Sequence, residues 1–235
     1  MRETPSICHI DRLDLSFAPN AWDFAIERRR EIDAFFASLR RDKPAIWNGR
    51  VLLLHHPVVT DGVFRGEYFE TDYASFAAWR HWESPPAKVH DCFSAAAILA
   101  VDGAFLLGVM GSHTFNAGKI YFPSGTPDPR DVVGDKVDLE LSVGRELHEE
   151  TGLEITEFAS EPGWTMVTDE PLIAQIKILH SKETSAVLRD RILAHLASAQ
   201  HPELADIRVI RKRQDVDPAM PRFVAAFLAS RLGCS

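Results

Sequence analysis

Three closely spaced glutamates, Glu146, Glu149 and Glu150, are the residues of this chain best suited to chemistry. Their i, i+3, i+4 spacing places all three on one side of a helix, where their negative charges repel each other. Arg145 is the only cation beside them, so negative charge is left over. A hard divalent cation such as Mg2+ or Mn2+ would balance that charge. The alternative is a purely structural acidic helix with a solvated face.

The helix that carries these glutamates is predicted to end at Gly152, because glycine favours the left-handed conformation of a helix C-terminal cap. Leu139, Val143 and Leu147 form an i, i+4, i+8 apolar stripe on it. Glu150 projects close to the middle of that stripe. The acidic side chains therefore border the buried face of the helix, where carboxylates are costly unless they are paired.

The run from Arg145 to Leu153 resembles the second half of the Nudix box, Arg-Glu-U-x-Glu-Glu-x-Gly-U, in which U is a bulky aliphatic residue, at all seven fixed positions. This resemblance implies Mg2+- or Mn2+-dependent hydrolysis of a nucleoside diphosphate linked to another moiety. It also implies that Glu146, Glu149 and Glu150 bind the metal. Arg145 would orient a metal-bound carboxylate.

The first half of the box departs from the family pattern. Val137 stands where the family has a glutamate, and Asp131 stands where it has a glycine. Gly125, which follows Tyr121-Phe122-Pro123-Ser124, is the expected counterpart of that glycine, with six extra residues before the helix. The nearest acids that could replace the missing glutamate are Asp135, Asp138 and Glu140. The departure supports an alternative function, a catalytically weak or inactive module that binds nucleotides or sugar nucleotides.

The remaining site residues are predicted from chemistry and from the resemblance. In the family, a general base often comes from a distant loop, and Glu203 and Glu170 are the candidates here. Lys119 could contact a substrate phosphate as a point charge. Gly125 is expected at the substrate, and the expected partner is a small-molecule nucleoside diphosphate derivative.

Composition limits the remaining function classes. The 235 residues carry a formal net charge of −8, which argues against a nucleic-acid-binding surface. Three distant cysteines, Cys8, Cys92 and Cys234, indicate reduced thiols in a cytoplasmic protein. The N-terminus does not resemble a signal peptide, and the longest apolar run, Ala95–Val101, is too short to span a bilayer. A homodimer is left open.

Strands and helices follow each other without regular alternation, which favours an α/β (α+β) fold with a mixed sheet between helices. The resemblance implies a Nudix-type α/β/α sandwich over residues 89–235, with residues 1–88 as an N-terminal α/β extension. The predicted boundary is Glu83–Ala87, where two prolines end a helix. Within the extension, Trp47-Asn48-Gly49, two strands and a Tyr-x-x-Phe helix at residues 73–76 are loosely similar to Nudix proteins that hydrolyse UDP-sugars.

Other elements follow from apolar periodicity and turn signals. Asp61-Gly62 and Asp102-Gly103 predict two hairpins. Aromatic residues of the helix at 73–82 are expected mainly in the core, with one or two able to stack on a nucleobase. Besides the acidic helix, the predicted helices cover residues 20–40, 73–82, 182–199 and 218–232. The predicted strands cover 12–17 (an edge strand), 51–59, 63–71, 94–100, 104–110, 119–122, 153–159, 164–179 (interrupted near 169–171) and 207–211.

Overall fold

Strands and helices fill most of the computed structural model, which describes residues 4–82 and 88–233. The predicted boundary, Glu83–Ala87, and Cys234 lie outside the described residues. The strands are β1 (Ser6–Ile10), β2 (Arg12–Phe17), β3 (Arg50–Thr60), β4 (Val63–Asp72), β5 (Asp91–Leu99), β6 (Phe105–Met110), β7 (Ile120–Tyr121), β8 (Ser124–Gly125), β9 (Val132–Val133), β10 (Lys136–Val137), β11 (Ala159–Ser160), β12 (Trp164–Asp169), β13 (Leu172–His180) and β14 (Leu204–Ile210). The helices are α1 (Asp23–Glu27), α2 (Arg29–Asp42), α3 (Tyr73–His81), α4 (Leu139–Thr151), α5 (Ser185–Ser198) and α6 (Arg222–Arg231).

The strands form two mixed sheets, which confirms the predicted α/β fold class. The larger sheet has the order β1-β12-β13-β5-β6-β14, with the short strands β7, β8 and β11 attached to it. The smaller sheet has the order β3-β4-β2-β10-β9. Each sheet contains one parallel pair, β5 with β13 and β2 with β4, among antiparallel neighbours. Both predicted hairpins form, one joining β3 to β4 and the other joining β5 to β6.

Each sheet contains strands from both parts of the chain. β1 extends the larger sheet through antiparallel pairing with β12. In the other direction, β10 joins the smaller sheet where Lys136 pairs with Ser16 of β2. The extra residues between Gly125 and the acidic helix thus include a short hairpin, β9–β10, that binds the N-terminal segment. The division of the chain at residue 88 stays a prediction.

A continuous apolar core connects the two sheets. Leu52, Leu54, Phe64 and Tyr68 of the smaller sheet belong to the same buried cluster as the strands and helices of the larger sheet. The Tyr68 hydroxyl donates to the Cys92 backbone oxygen at 2.9 Å. The two sheets therefore share one core.

Helices cover the sheets and hold the cleft in place. α4 packs on β5 and contacts α5, and α6 packs on β12. Phe223 and Phe227 of α6 meet Phe93, Phe105 and Phe122 edge to face. α3 packs on β3, β4 and α2. Among the helices of the described residues, none has the length and apolarity needed to cross a membrane.

The prediction of one helix over residues 20–40 is wrong. The chain forms α1 and α2 instead, and Arg28 between them leaves helical geometry with φ −103° and ψ 18°. The Arg28 guanidinium lies 4.1 Å from the centroid of the Trp82 ring. Apolar periodicity cannot predict such a contact between distant segments.

Two strand predictions also need correction. Residues 12–17 form β2, an interior strand and not an edge strand, because β4 and β10 pair on its two sides. The predicted strand at 153–159 is wrong, because Ile155–Glu157 form a 3-10 turn and only Ala159–Ser160 pair with β13. The Glu154 backbone N–H donates to the Glu157 side chain at 2.9 Å, a local hydrogen bond that competes with strand pairing.

Candidate functional site

Helix α4 begins and ends with local caps that fix the direction of its glutamates. The Asp138 side chain accepts hydrogen bonds from the backbone N–H groups of Glu140 and Leu141, at 2.9 and 3.0 Å. At the other end Gly152 has φ +70°, and its N–H donates to the His148 oxygen at 2.8 Å. The predicted helix end at Gly152 is therefore confirmed.

The three glutamates of α4 differ in burial. The Glu149 side chain is 48% exposed, the Glu146 side chain 14%, and Glu150 only 4%. The Ser124 backbone N–H of β8 donates to Glu150 Oε1 at 3.4 Å, whereas Glu150 Oε2 has no hydrogen-bond partner. A buried carboxylate oxygen without a partner is costly, so a ligand for it would be stabilising.

Arg145 holds one of these carboxylates in place. Its guanidinium donates to Glu146 Oε1 at 2.6 Å and to Asp131 Oδ2 at 2.8 Å. Asp131 is fully buried, and its Oδ2 also accepts from the Asp128 backbone N–H at 3.0 Å. The chain Asp131–Arg145–Glu146 therefore aims the Glu146 carboxylate at a fixed position.

Gly125 is the point at which β8 approaches this carboxylate. A Cβ atom on residue 125 would lie 2.3 Å from Glu146 Oε1, far closer than a carbon and an oxygen can approach. Glycine at position 125 thus leaves the room that Glu146 occupies, which gives a physical reason for the glycine there.

Glu203, which precedes β14, is a fourth carboxylate whose negative charge acts on Glu146 and Glu150. The negative charges of Glu146 and Glu203 act on Glu150, and that of Glu149 acts on Glu203. Burial raises the pKa of Glu146 to about 7, against the opposing effect of Arg145. Burial, followed by the neighbouring charges, raises the pKa of Glu150 well above its ordinary value. Loss of hydration, followed by the charge of Glu149, also raises the pKa of Glu203.

A cleft of two lobes opens on the far side of Ser124 and Gly125 from α4, and Glu146, Glu149 and Glu150 line neither lobe. The larger lobe has a volume of about 510 Å³ and the smaller about 250 Å³. Glu203 lines the larger lobe, and Lys119 lines the smaller one. The lobes share the residues Arg80, Asn116, Tyr121, Ser124, Gly125 and Thr126. Ser124 and Gly125, which lie against Glu150 and Glu146, therefore stand where the two lobes meet.

Some predicted site residues lie elsewhere. Glu170 is exposed, forms an ion pair with His90 at 3.2 Å, and lines neither lobe. Of the acids expected to replace the missing glutamate, Asp138 caps α4, Glu140 pairs with Lys177 at 3.0 Å, and Asp135 is exposed in a turn. Asp131 is the acid that contacts Arg145, although the motif spacing aligned it with a glycine.

Several residues of the cleft were missed in the sequence. Trp47, Arg80, Arg130, His113 and His201 all line the larger lobe. They come from separate segments, and apart from Trp47, which belongs to the loose N-terminal resemblance, they carry no motif. Among the others, only Arg130 had an indirect signal, because it lies in the loop before the acidic helix.

The donor set suits a hard divalent cation, because it consists of carboxylate oxygens of which one, Glu150 Oε2, has no partner. Within residues 4–82 and 88–233, no three His, Cys, Asp or Glu side chains are already grouped for a metal. Arg145 holds Glu146, and Arg130 holds Glu149 Oε1 at 3.2 Å. Glu149 is half exposed, and its Oε2 lies 3.6 Å from Arg145.

Comparison with known proteins gave matches only among solved structures. No family model matches the chain, and no curated protein matches it. The structure is similar to a Nudix hydrolase from M. smegmatis, RenU, with 18% identity over 60% of this chain and 83% of that chain, and a TM-score of 0.38. It is similar to the MutT protein from Methanosarcina mazei Go1, with 17% identity over 60% and 91% of the two chains and a TM-score of 0.37.

A third similar structure is a bifunctional NMN adenylyltransferase/ADP ribose pyrophosphatase from Francisella tularensis, complexed with AMP and a Mn ion. The identity is 15%, the match covers 67% of this chain and 47% of that chain, and the TM-score is 0.42. These structures include Nudix hydrolases, the family whose box α4 resembles.

Proposed function

We propose that this chain is a Nudix-type pyrophosphohydrolase that cleaves the pyrophosphate bond of a nucleoside diphosphate linked to another moiety. One observation carries the proposal. Ser124 and Gly125 line both lobes of the cleft, and they lie against Glu150 and Glu146 of α4, while Glu203 lines the larger lobe. A substrate with two different groups on a pyrophosphate would place one group in each lobe, and its pyrophosphate would lie at the carboxylates.

Glu146, Glu149 and Glu150 are the proposed ligands of Mg2+ or Mn2+. When bound there, the ion would neutralise phosphate charge and lower the pKa of a coordinated water. Arg145 keeps the Glu146 carboxylate oriented through its short ion pair. Gly125 leaves space for that carboxylate next to the substrate.

Glu203 is the proposed general base. In the reaction a water oxygen attacks one phosphorus atom, the bond from that phosphorus to the bridging oxygen breaks, and Glu203 takes the proton of the water. A carboxylate with a raised pKa is a better base than an ordinary glutamate, because the best pKa for a general base lies near the working pH. Lys119 and Arg130 line the cleft as cations for phosphate oxygens.

A finer proposal concerns the substrate class. The N-terminal segment is loosely similar to Nudix proteins that hydrolyse UDP-sugars, and its residues line the larger lobe. We therefore place nucleotide sugars first among the candidates. A cytoplasmic location and a homodimer remain proposals from the sequence, as does the absence of nucleic-acid partners.

The second candidate function is a binding module without useful catalysis. Val137, at the position of a box glutamate, is buried in the core and cannot act as a ligand. A panel of UDP-glucose, ADP-ribose and related compounds, assayed with and without Mg2+, separates the two functions. Metal-dependent release of phosphate-ester products supports the enzyme, and binding without turnover supports the module.

Amide variants of the ligands sharpen this test. Glu149→Gln and Glu150→Gln are expected to lower kcat by about 100-fold or more, because an amide holds a divalent cation poorly. The melting temperature should stay unchanged or rise, because the substitution removes a repelling carboxylate. Retained activity in both variants, or a loss that follows unfolding, would contradict the assignment.

A further inference from the structure

Trp47 is unusual among the aromatic residues of this protein because it is exposed. It is 76% exposed, whereas Trp22, Trp79 and Trp164 are buried, and Trp82 packs against other rings. Within the described ranges, the other large exposed apolar residues are all aliphatic: Ile7, Ile26, Val58, Val59, Val101, Val133, Leu141 and Val187. An exposed large aromatic side chain at a cavity is typical of a binding surface.

The segment that carries Trp47 is held firmly to the start of α3. The Ala74 backbone N–H donates to Asn48 Oδ1 at 2.8 Å, and the Tyr73 N–H donates to the Gly49 oxygen at 2.9 Å. A Cβ atom on residue 49 would lie 2.9 Å from Trp47 Cζ2, so the indole lies against the Gly49 backbone. The ring is thus positioned before any ligand arrives, which lowers the entropic cost of binding.

The lobe next to Trp47 combines flat apolar surfaces with cations. Its aromatic lining residues besides Trp47 are Tyr73, Phe76, Phe115 and Tyr121. Arg50, Arg80 and Arg130 line the same lobe, each paired with a carboxylate of the chain, and Gly125 of its wall lies against Glu146. A ligand that is anionic at one end and planar and aromatic at the other matches this lining, because phosphates pair with arginines and planar rings stack on aromatics.

We infer that Trp47 is the stacking platform for the nucleobase of the substrate, and that the N-terminal segment thereby selects nucleotides over other phosphate esters. This inference rests on the proposed function and names the substrate group that the larger lobe receives. The leaving moiety would then occupy the smaller lobe, on the side of Lys119.

The test compares ligands with and without a base. The probes are the four nucleoside 5′-monophosphates and ribose 5-phosphate, whose dissociation constants are measured by calorimetry on wild type, Trp47→Ala and Trp47→Phe. Trp47→Ala should weaken binding of the preferred nucleoside monophosphates by about 5- to 150-fold, the range expected for loss of one base stack. Trp47→Phe should keep most of the affinity, and ribose 5-phosphate should change by less than about twofold.

Gly49→Ala offers a second variant that moves the ring without removing it. Its new Cβ would contact the indole, so nucleotide binding should weaken in the wild-type background. In the Trp47→Ala background the same substitution should have no further effect on nucleotide binding. Val101→Ala, which truncates an exposed side chain that lines neither lobe, is the matched control and should bind as wild type. Melting curves verify that each variant is folded.

Three results would overturn the inference. One is wild-type protein that binds none of the four monophosphates, and another is unchanged nucleotide affinity in Trp47→Ala. The third is an equal loss of affinity for ribose 5-phosphate, which would mean that Trp47 maintains the shape of the lobe and does not recognise the base. Hydrolysis is assayed separately on the wild-type protein. If the wild type hydrolyses a substrate and Trp47→Ala binds nucleotides as tightly as the wild type, only the stacking role of Trp47 is contradicted. If binding depends on the base and Trp47 but no substrate is hydrolysed, only the proposed hydrolysis is contradicted.

Discussion

The close contact between Gly125 and Glu146 makes residue 125 a direct test of the site. In Gly125→Ala the new Cβ would meet the end of the Glu146 side chain at 2.3 Å, and the carboxylate would have to move away. Moving the carboxylate would disturb its ion pair with Arg145 but not the backbone of α4, so the melting temperature should change by only a few degrees. We expect kcat with the best substrate of the panel to fall at least about tenfold, since small displacements of reacting groups lower rates strongly.

A matched glycine lies on the same helix as the ligands. Gly144→Ala would place its Cβ 3.5 Å from Ile155, an ordinary contact. Because alanine favours helices, this variant should be as stable as wild type or more stable by up to about 1 kcal/mol, with unchanged kcat. Equal losses of activity in both variants would mean that helix perturbation, and not the Gly125 contact, explains the result.

Asp131 gives a second prediction at the residue scale. Asp131→Asn keeps the shape of the side chain but removes the charge that pairs with Arg145. We expect urea unfolding to show a loss of about 1–3 kcal/mol, the usual cost of leaving a charged group with a poorer partner. Glu146 should also be less well oriented, so kcat should fall while KM changes little.

Asp135→Asn is the control for this prediction, because Asp135 is an exposed turn residue that the sequence made a candidate for the missing box acid, whereas Asp131 was not a candidate. It should leave both stability and kcat unchanged. If Asp135→Asn lowers kcat and Asp131→Asn does not, Asp131 is not the acid that positions Arg145.

The site residues that sequence reasoning identified are those whose relation is local. Glu146, Glu149 and Glu150 follow from helical spacing, and Gly152 follows from cap chemistry. Asp131 could not be identified in the same way, because its contact with Arg145 depends on the turn that Asp128 caps. Trp47 lies at the cleft because its segment packs on α3, and residue spacing does not predict that contact.

At the scale of elements, those that depend on local interactions were predicted, and those that depend on distant strands were missed. The hairpins at Asp61-Gly62 and Asp102-Gly103 were predictable because turn residues act locally. Strand β1 was missed, because five residues with mostly exposed side chains form a strand only when β12 is beside them. The β9–β10 hairpin was missed for a similar reason, since it pairs with β2 across more than a hundred residues.

Strand β1 supplies the prediction that belongs to this scale. Ile10 is fully buried in the main core, whereas Ile7 on the same strand is 38% exposed. Ile10→Ala should lower the free energy of unfolding by about 2–5 kcal/mol, as expected for a cavity in a packed core. Ile7→Ala should cost less than about 1 kcal/mol. Equal small losses in urea unfolding would show that β1 does not pack on the larger sheet.

At the scale of the whole molecule, the two parts of the chain depend on one another. The smaller sheet contributes Leu52, Leu54, Phe64 and Tyr68 to the common core. At roughly 1.5–3 kcal/mol for each large buried side chain, these four contribute about 6–12 kcal/mol, which is comparable to the whole stability of a typical domain. The larger lobe of the cleft likewise needs both parts, because Trp47 and Glu203 line its walls together.

This dependence predicts the behaviour of a divided chain. A fragment of residues 89–235 retains every residue of the box, yet it lacks β1 and the apolar side chains that close its core. We expect the fragment alone to show no cooperative thermal transition. Co-expression with residues 1–88 should restore a transition and metal-dependent turnover. A fragment that melts cooperatively at the temperature of the intact protein would instead establish 89–235 as an independent domain, with the N-terminal segment serving only the larger lobe.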